Sequence, residues 1–142
     1  MESTVKVEKI TIFFLLLAFL QGCWTSENDI IEVTKLVGNF NIVYNKNDAP
    51  SGYILSLYTG SGLYRHIEKR CERVYFDSTE IFVEYTWHDA DTTHHYSRIR
   101  ILTNERVPFH KQELSSKEFH KLLELCKDCI EKKYDKISRS PL

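Results

Sequence analysis

The sequence predicts an α+β domain: an antiparallel β-sheet meander of about five strands, covered on one face by a C-terminal α-helix. Three observations carry this expectation. From Leu36 to Thr103, apolar and polar residues alternate in short runs, the period of strands with one buried face. Clusters of Gly, Asn, Asp, Ser and Thr separate those runs. After Pro108 the apolar residues fall instead at helical spacing.

Taken in order, "LVGNFNIVY" (Leu36–Tyr44) places Phe40, Ile42 and Tyr44 on one face, and "NKNDAPSG" ends that strand. "YILSLYT" (Tyr53–Thr59) is a second strand, stopped by Gly60-Ser61-Gly62, and "LYRHIEK" is a short third. "CERVYFD" (Cys71–Asp77) and "EIFVEYTWH" (Glu80–His88) follow, the latter aligning Ile81, Val83, Tyr85 and Trp87. "HHYSRIRILT" (His94–Thr103) carries Tyr96, Ile99 and Leu102, and Asp89–Thr93 before it reads as a hairpin loop. Phe119, Leu122, Leu123, Cys126 and Ile130 then share one helical face over a helix expected to run to about Ile137. Ser115 and Glu118 have the spacing of a capping box. Lys127, Lys132, Lys133 and Lys136 crowd the expected C-terminal end, where cations suit the helix dipole.

With 142 residues the chain has the length of one domain. Its 19 basic and 20 acidic side chains nearly cancel, which argues against nucleic acid as a partner. Gly and Pro are few, which argues against a disordered or fibrous chain.

The first residues have a different character. "MESTVKVEK" carries Lys6 and Lys9, and "ITIFFLLLAFL" (Ile10–Leu20) holds no charge. An apolar helix needs roughly 20 residues to span a bilayer, so this run suits a secretory signal peptide better than an anchor. It ends in Leu20-Gln21-Gly22-Cys23, which resembles the lipobox of bacterial lipoproteins, with Gln21 in place of the commoner small residue. The resemblance implies that a diacylglyceryl group is attached to the Cys23 thiol, that the chain is cut before Cys23, and that the new amino group is acylated, with palmitate a typical fatty acid. Two or three acyl chains hold a protein firmly to a bilayer where one gives only marginal binding. Trp24, rather than Asp, follows the Cys, and by the enteric sorting rule this favours the outer membrane. The expected organisation is a signal peptide over 1–22, a lipid-anchored tether over 23–35, a single α+β domain over 36–137, and a tail over 138–142.

If Cys23 is acylated, three cysteines remain in an oxidising compartment. Cys126 and Cys129 spell C-x-x-C, but an expected position about three turns inside a helix denies Cys126 the N-terminal dipole that activates a redox thiol. They are expected to be small core residues, or to supply one structural disulfide joining Cys71 and Cys126. "HDADTTHH" concentrates His88, Asp89, Asp91, His94 and His95, a donor set a divalent ion would accept, although Asp and Thr are also ordinary turn residues. Arg65, Lys69, Arg70, Arg73, Arg98, Arg100 and Arg106, interspersed with Glu68, Glu72 and Glu84, read as a solvated mixed-charge face or as a surface for an acidic partner. "TGSGLYR" (Thr59–Arg65) is better explained as a strand-to-strand turn than as a nucleophile elbow. The sequence holds no G-x-S-x-G, no H-E-x-x-H and no phosphate-cradling glycine loop, so a non-enzymatic protein without a cofactor is expected.

The lipobox, "VGNF", "CERVYFDSTEIFVEY", "HYSRIRIL" and "LSSKEFHKLL" together resemble small bacterial lipoproteins of an uncharacterised family, with a sheet and a late helix. That resemblance implies location rather than activity. The expected function is an envelope lipoprotein that binds another protein, in a narrower form an immunity or inhibitor protein. The alternative is a small-ligand or metal carrier using the His88–His95 loop.

Overall fold

The computed structural model describes residues 24–87, 92–103 and 107–134. It contains strands β1 (Trp24–Ser26), β2 (Ile30–Val37), β3 (Phe40–Asn45), β4 (Tyr53–Tyr58), β5 (Leu63–Glu68), β6 (Cys71–Phe76), β7 (Glu80–Tyr85), β8 (His95–Ile101) and β9 (Phe109–Leu114), then helix α1 (Ser116–Glu124) and strand β10 (Ile130–Lys133). The α+β meander under one helix is therefore corrected. Strand makes up 56% of the structure, in two antiparallel five-stranded sheets ordered β1-β5-β4-β3-β2 and β10-β6-β7-β8-β9. Residues 24–35, expected as a tether, hold β1 and most of β2.

The two sheets meet through a shared core. Phe40, Ile42, Tyr53 and Leu55 of the first pack with Val74, Phe76, Ile81, Val83, Tyr85 and Ile99 of the second. The chain crosses between sheets at Lys69-Arg70, where Arg70 takes a left-handed φ of 52°. Its side chain stitches the layers, donating from Nε to the Thr86 carbonyl (3.1 Å) and from Nη1 to the Pro50 carbonyl (3.3 Å).

The first sheet is also curled on itself. β1 and β2 lie at its opposite edges, yet only Glu27–Asp29 joins them. Four residue steps reach at most about 14 Å, whereas the edges of a flat five-stranded sheet lie about 19 Å apart. The curl encloses Val43, Ile54 and Tyr64. Polar groups share its interior: His66 hydrogen-bonds Thr25, and Asn45 Nδ2 donates to Thr25 Oγ1 at 3.4 Å. Burial holds the His66 imidazole below its ordinary pKa, with Lys69 adding to the effect and Asp48 opposing it.

Helix α1 covers the outer face of the second sheet, where Phe119 packs with Phe82 and Leu114. Ser115 caps it as expected, its hydroxyl accepting from the Glu118 N–H at 3.2 Å. The helix is much shorter than the expected span to Ile137. It ends at Glu124, and Cys126 and Cys129 close a tight loop by disulfide, after which β10 returns to pair with β6 from Ile130↔Phe76 to Lys133↔Arg73.

The Cys71–Cys126 disulfide is corrected with it. Cys71 is free and buried between the sheets, while Cys126 packs on the outer face under α1. The observed bridge spans a sequence separation of 3. Loop-closure entropy then contributes about 2 kcal/mol, against about 4 kcal/mol for the expected pairing. Asp77 Oδ2 lies 3.4 Å from Cys126 Sγ, and a carboxylate there disfavours a thiolate, which suits a structural bridge rather than a redox pair.

Glu68, on β5, ties the sheets electrostatically. Its carboxylate meets Lys111 Nζ at 2.6 Å and accepts from Ser97 Oγ at 3.3 Å. Burial nonetheless lifts its pKa above the ordinary value, with Lys111 and Ser97 opposing the rise. A raised carboxyl pKa means that the folded chain holds this proton more tightly than the unfolded chain does. Stability from this group is therefore fullest below the ordinary pKa and declines as pH rises from there through the folded value. Lys111→Met removes the main opposing charge, so the decline should steepen and extend to higher pH. Urea unfolding across mildly acid to neutral pH measures this, and parallel stability curves for the two proteins would contradict it.

Candidate functional site

The hairpin end of β7 and β8 gathers the residues most suited to recognition. Cross-strand pairing places Tyr85 opposite His95 and Glu84 opposite Tyr96, so the two pairs project from opposite faces. Trp87, just past β7, stacks on His95 with ring centroids 3.9 Å apart and planes 7° from parallel. Tyr85 approaches the same imidazole at 5.7 Å. Trp87 is 55% exposed, so its indole presents a flat aromatic surface to solvent. On the other face, Tyr96 reaches Phe119 at 4.7 Å and His120 at 5.7 Å, tying this end of β8 to α1.

Beside the stack lies a cavity of about 210 Å³. Tyr85, Trp87, His94, His95 and Tyr96 form its aromatic side. Glu113 and Leu114 at the end of β9, with Ser115 and Ser116 at the start of α1, form the rest. The mouth therefore combines aromatic faces with a few polar groups, as binding sites do. Its volume falls below the roughly 300–1,000 Å³ of small-ligand pockets, so it accommodates a protruding side chain better than a whole ligand.

His94 extends the site to two carboxylates. Its Nδ1 lies 2.7 Å from Glu84 Oε1 and 3.1 Å from Glu72 Oε2, and both glutamate side chains are largely buried. The three donor atoms lie within 4.8 Å of one another. Only Nδ1 faces the two carboxylates, so one N–H serves one of them at a time, and the three groups together offer a cation one imidazole and two carboxylate donors.

Of the sequence candidates, His94 and His95 both reach this site but do different things, one meeting carboxylates and the other stacking on Trp87. His88, Asp89 and Asp91 lie outside the described residues, as do Cys23 and Arg106. Glu72 and Glu84 were legible only as members of a mixed-charge face. Strand alternation in "EIFVEY" does put Glu84 on the face opposite Val83, and the expected meander sets β6 beside β7, but nothing in the sequence marks the register irregularity between Cys71 and Arg73 at which Glu72 sits. Mixed charge elsewhere resolves into local pairs, such as Arg98 with Glu80 at 2.7 Å.

No helix among the described residues is long and apolar enough to cross a membrane. No protein-family model matches the chain, and no curated protein and no solved structure matches it.

Proposed function

We propose that this chain is a non-enzymatic bacterial lipoprotein, anchored in the cell envelope through acylated Cys23, that binds another protein at the Trp87–His95 end of its second sheet. The lipobox Leu20-Gln21-Gly22-Cys23 supports the anchor, and Trp24 after it supports the outer membrane. The observation that carries the binding site is Trp87, stacked on His95 yet 55% exposed, at the rim of a cavity sized for one side chain. Exposed, rigidly held Trp beside a pocket is the typical core of an interface hot spot. An inhibitor or immunity protein acting on an envelope enzyme or toxin is the narrower form of the same reading. A photo-cross-linking amino acid at position 87 in living cells should yield a discrete protein adduct, and the same group at exposed Lys35 on β2 should not. No adduct at position 87, or identical adducts at both positions, would contradict the site.

A second reading, a divalent-ion site, is favoured by the convergence of Glu72, Glu84 and His94. Imidazole with two carboxylates suits zinc and its neighbours. Added zinc should then raise the melting temperature of the wild type and leave His94→Ala unmoved. An unmoved wild type would remove this reading.

A further inference from the structure

We infer that the edge of the first sheet bearing Trp24, Leu63 and Arg65 rests directly on the bilayer surface, with the Trp24 indole among the lipid headgroups. The inference rests on the acylation of Cys23 proposed above and adds an orientation to it. Consecutive Cα atoms lie about 3.8 Å apart, and Trp24 is already the first residue of β1, paired with Arg65 of β5. No linker separates the lipid-bearing residue from the folded sheet, so the glycerol at Cys23 draws this edge to the interface.

The residues at the edge suit that position. Pairing runs Trp24↔Arg65, Thr25↔Tyr64 and Ser26↔Leu63. Trp24, Ser26, Leu63 and Arg65 therefore project from one face, and Thr25 and Tyr64 from the other. Thr25 and Tyr64 are buried inside the curl, whereas Trp24 is 36% and Leu63 39% exposed, and Arg65 is exposed as well. Trp is the side chain most at home at a membrane–water interface. Leu63 adds apolar surface, and a cation near the headgroups meets their phosphates. Arg65 is held in place by the Phe109 ring, 5.5 Å below its guanidinium.

The chain has 2 Trp, so Trp87→Phe leaves Trp24 as the sole indole while keeping an aromatic ring to stack on His95. The cell-processed protein is reconstituted into vesicles of phosphatidylethanolamine and phosphatidylglycerol with either ordinary or brominated acyl chains, and its mass is recorded. An indole seated about 5–10 Å into the interface should lose roughly half or more of its emission in the brominated vesicles. Equal emission from an acylated protein would overturn the orientation while leaving the anchor standing. A mass without the acyl increment would overturn the anchor, and the orientation with it.

Discussion

Replacing Phe119 by alanine is expected to destabilise the protein by about 3–5 kcal/mol. Phe119 is 1% exposed and is the buried key of α1. Its ring lies 4.7 Å from Tyr96, 5.9 Å from Phe82 and 6.2 Å from Tyr75, so it reaches three strands of the second sheet. A helix of 9 residues is below the roughly 12–15 needed for marginal stability alone, so α1 persists by packing. Truncating its key side chain loosens the whole cover and exposes Phe82, which is otherwise fully buried. At about 4–8 °C per kcal/mol, the melting temperature should fall by well over 10 °C. Leu125→Ala, at a site 72% exposed, should stay within about 0.5 kcal/mol of wild type. Guanidinium unfolding of the two variants side by side measures the contrast. Equal midpoints would mean that the helix is not keyed through Phe119.

The strands that were legible are those with a clear two-residue period. β4, β5, β6, β7 and β8 all fall within runs read from the sequence, β3 overruns its run by Asn45 alone, and Ser115 marks the helix start. The number of layers was misread, although a signal for it existed. Ile81, Phe82 and Val83 are all fully buried, as are Ile54 and Leu55 after nearly buried Tyr53. Consecutive apolar residues in a strand mean that both faces are covered, which one helix over one sheet cannot supply. β7 is covered by the first sheet on one face and by α1 on the other; β4 faces the second sheet on one side and the interior of its own curl on the other.

Edge strands escaped for the opposite reason. β1 and β2 lie at sheet edges, and "WTSENDIIE" reads as a polar linker because much of its surface meets solvent. All four residues of β10 are exposed, so Ile130 extended the helical spacing from Cys126 without contradiction. Only the pairing of β10 with β6 distinguishes strand from helix there. The candidate site was legible in part. His94 and His95 stand out by composition, but the carboxylates that give His94 its chemistry come from 22 and 10 residues earlier in the chain. Sheet pairing brings them together.

The other large effect belongs to Cys23→Ser. Each acyl methylene buried in lipid contributes about 0.8 kcal/mol, so two or three chains give the stable anchoring that a single chain does not. On the proposed reading, removing the thiol removes the site of the first acylation and, with it, cleavage before residue 23. The uncleaved apolar run Ile10–Leu20 is too short to span the roughly 20-residue bilayer core, so it replaces the anchor poorly. The decisive measurement is metabolic labelling of wild type and Cys23→Ser with a fatty acid, followed by membrane fractionation and gel mass. The account predicts a labelled, membrane-bound, shortened wild type beside an unlabelled, full-length mutant largely lost from the membrane fraction. A wild type that takes up no label, or a mutant that keeps both its label and its place in the membrane, would contradict it.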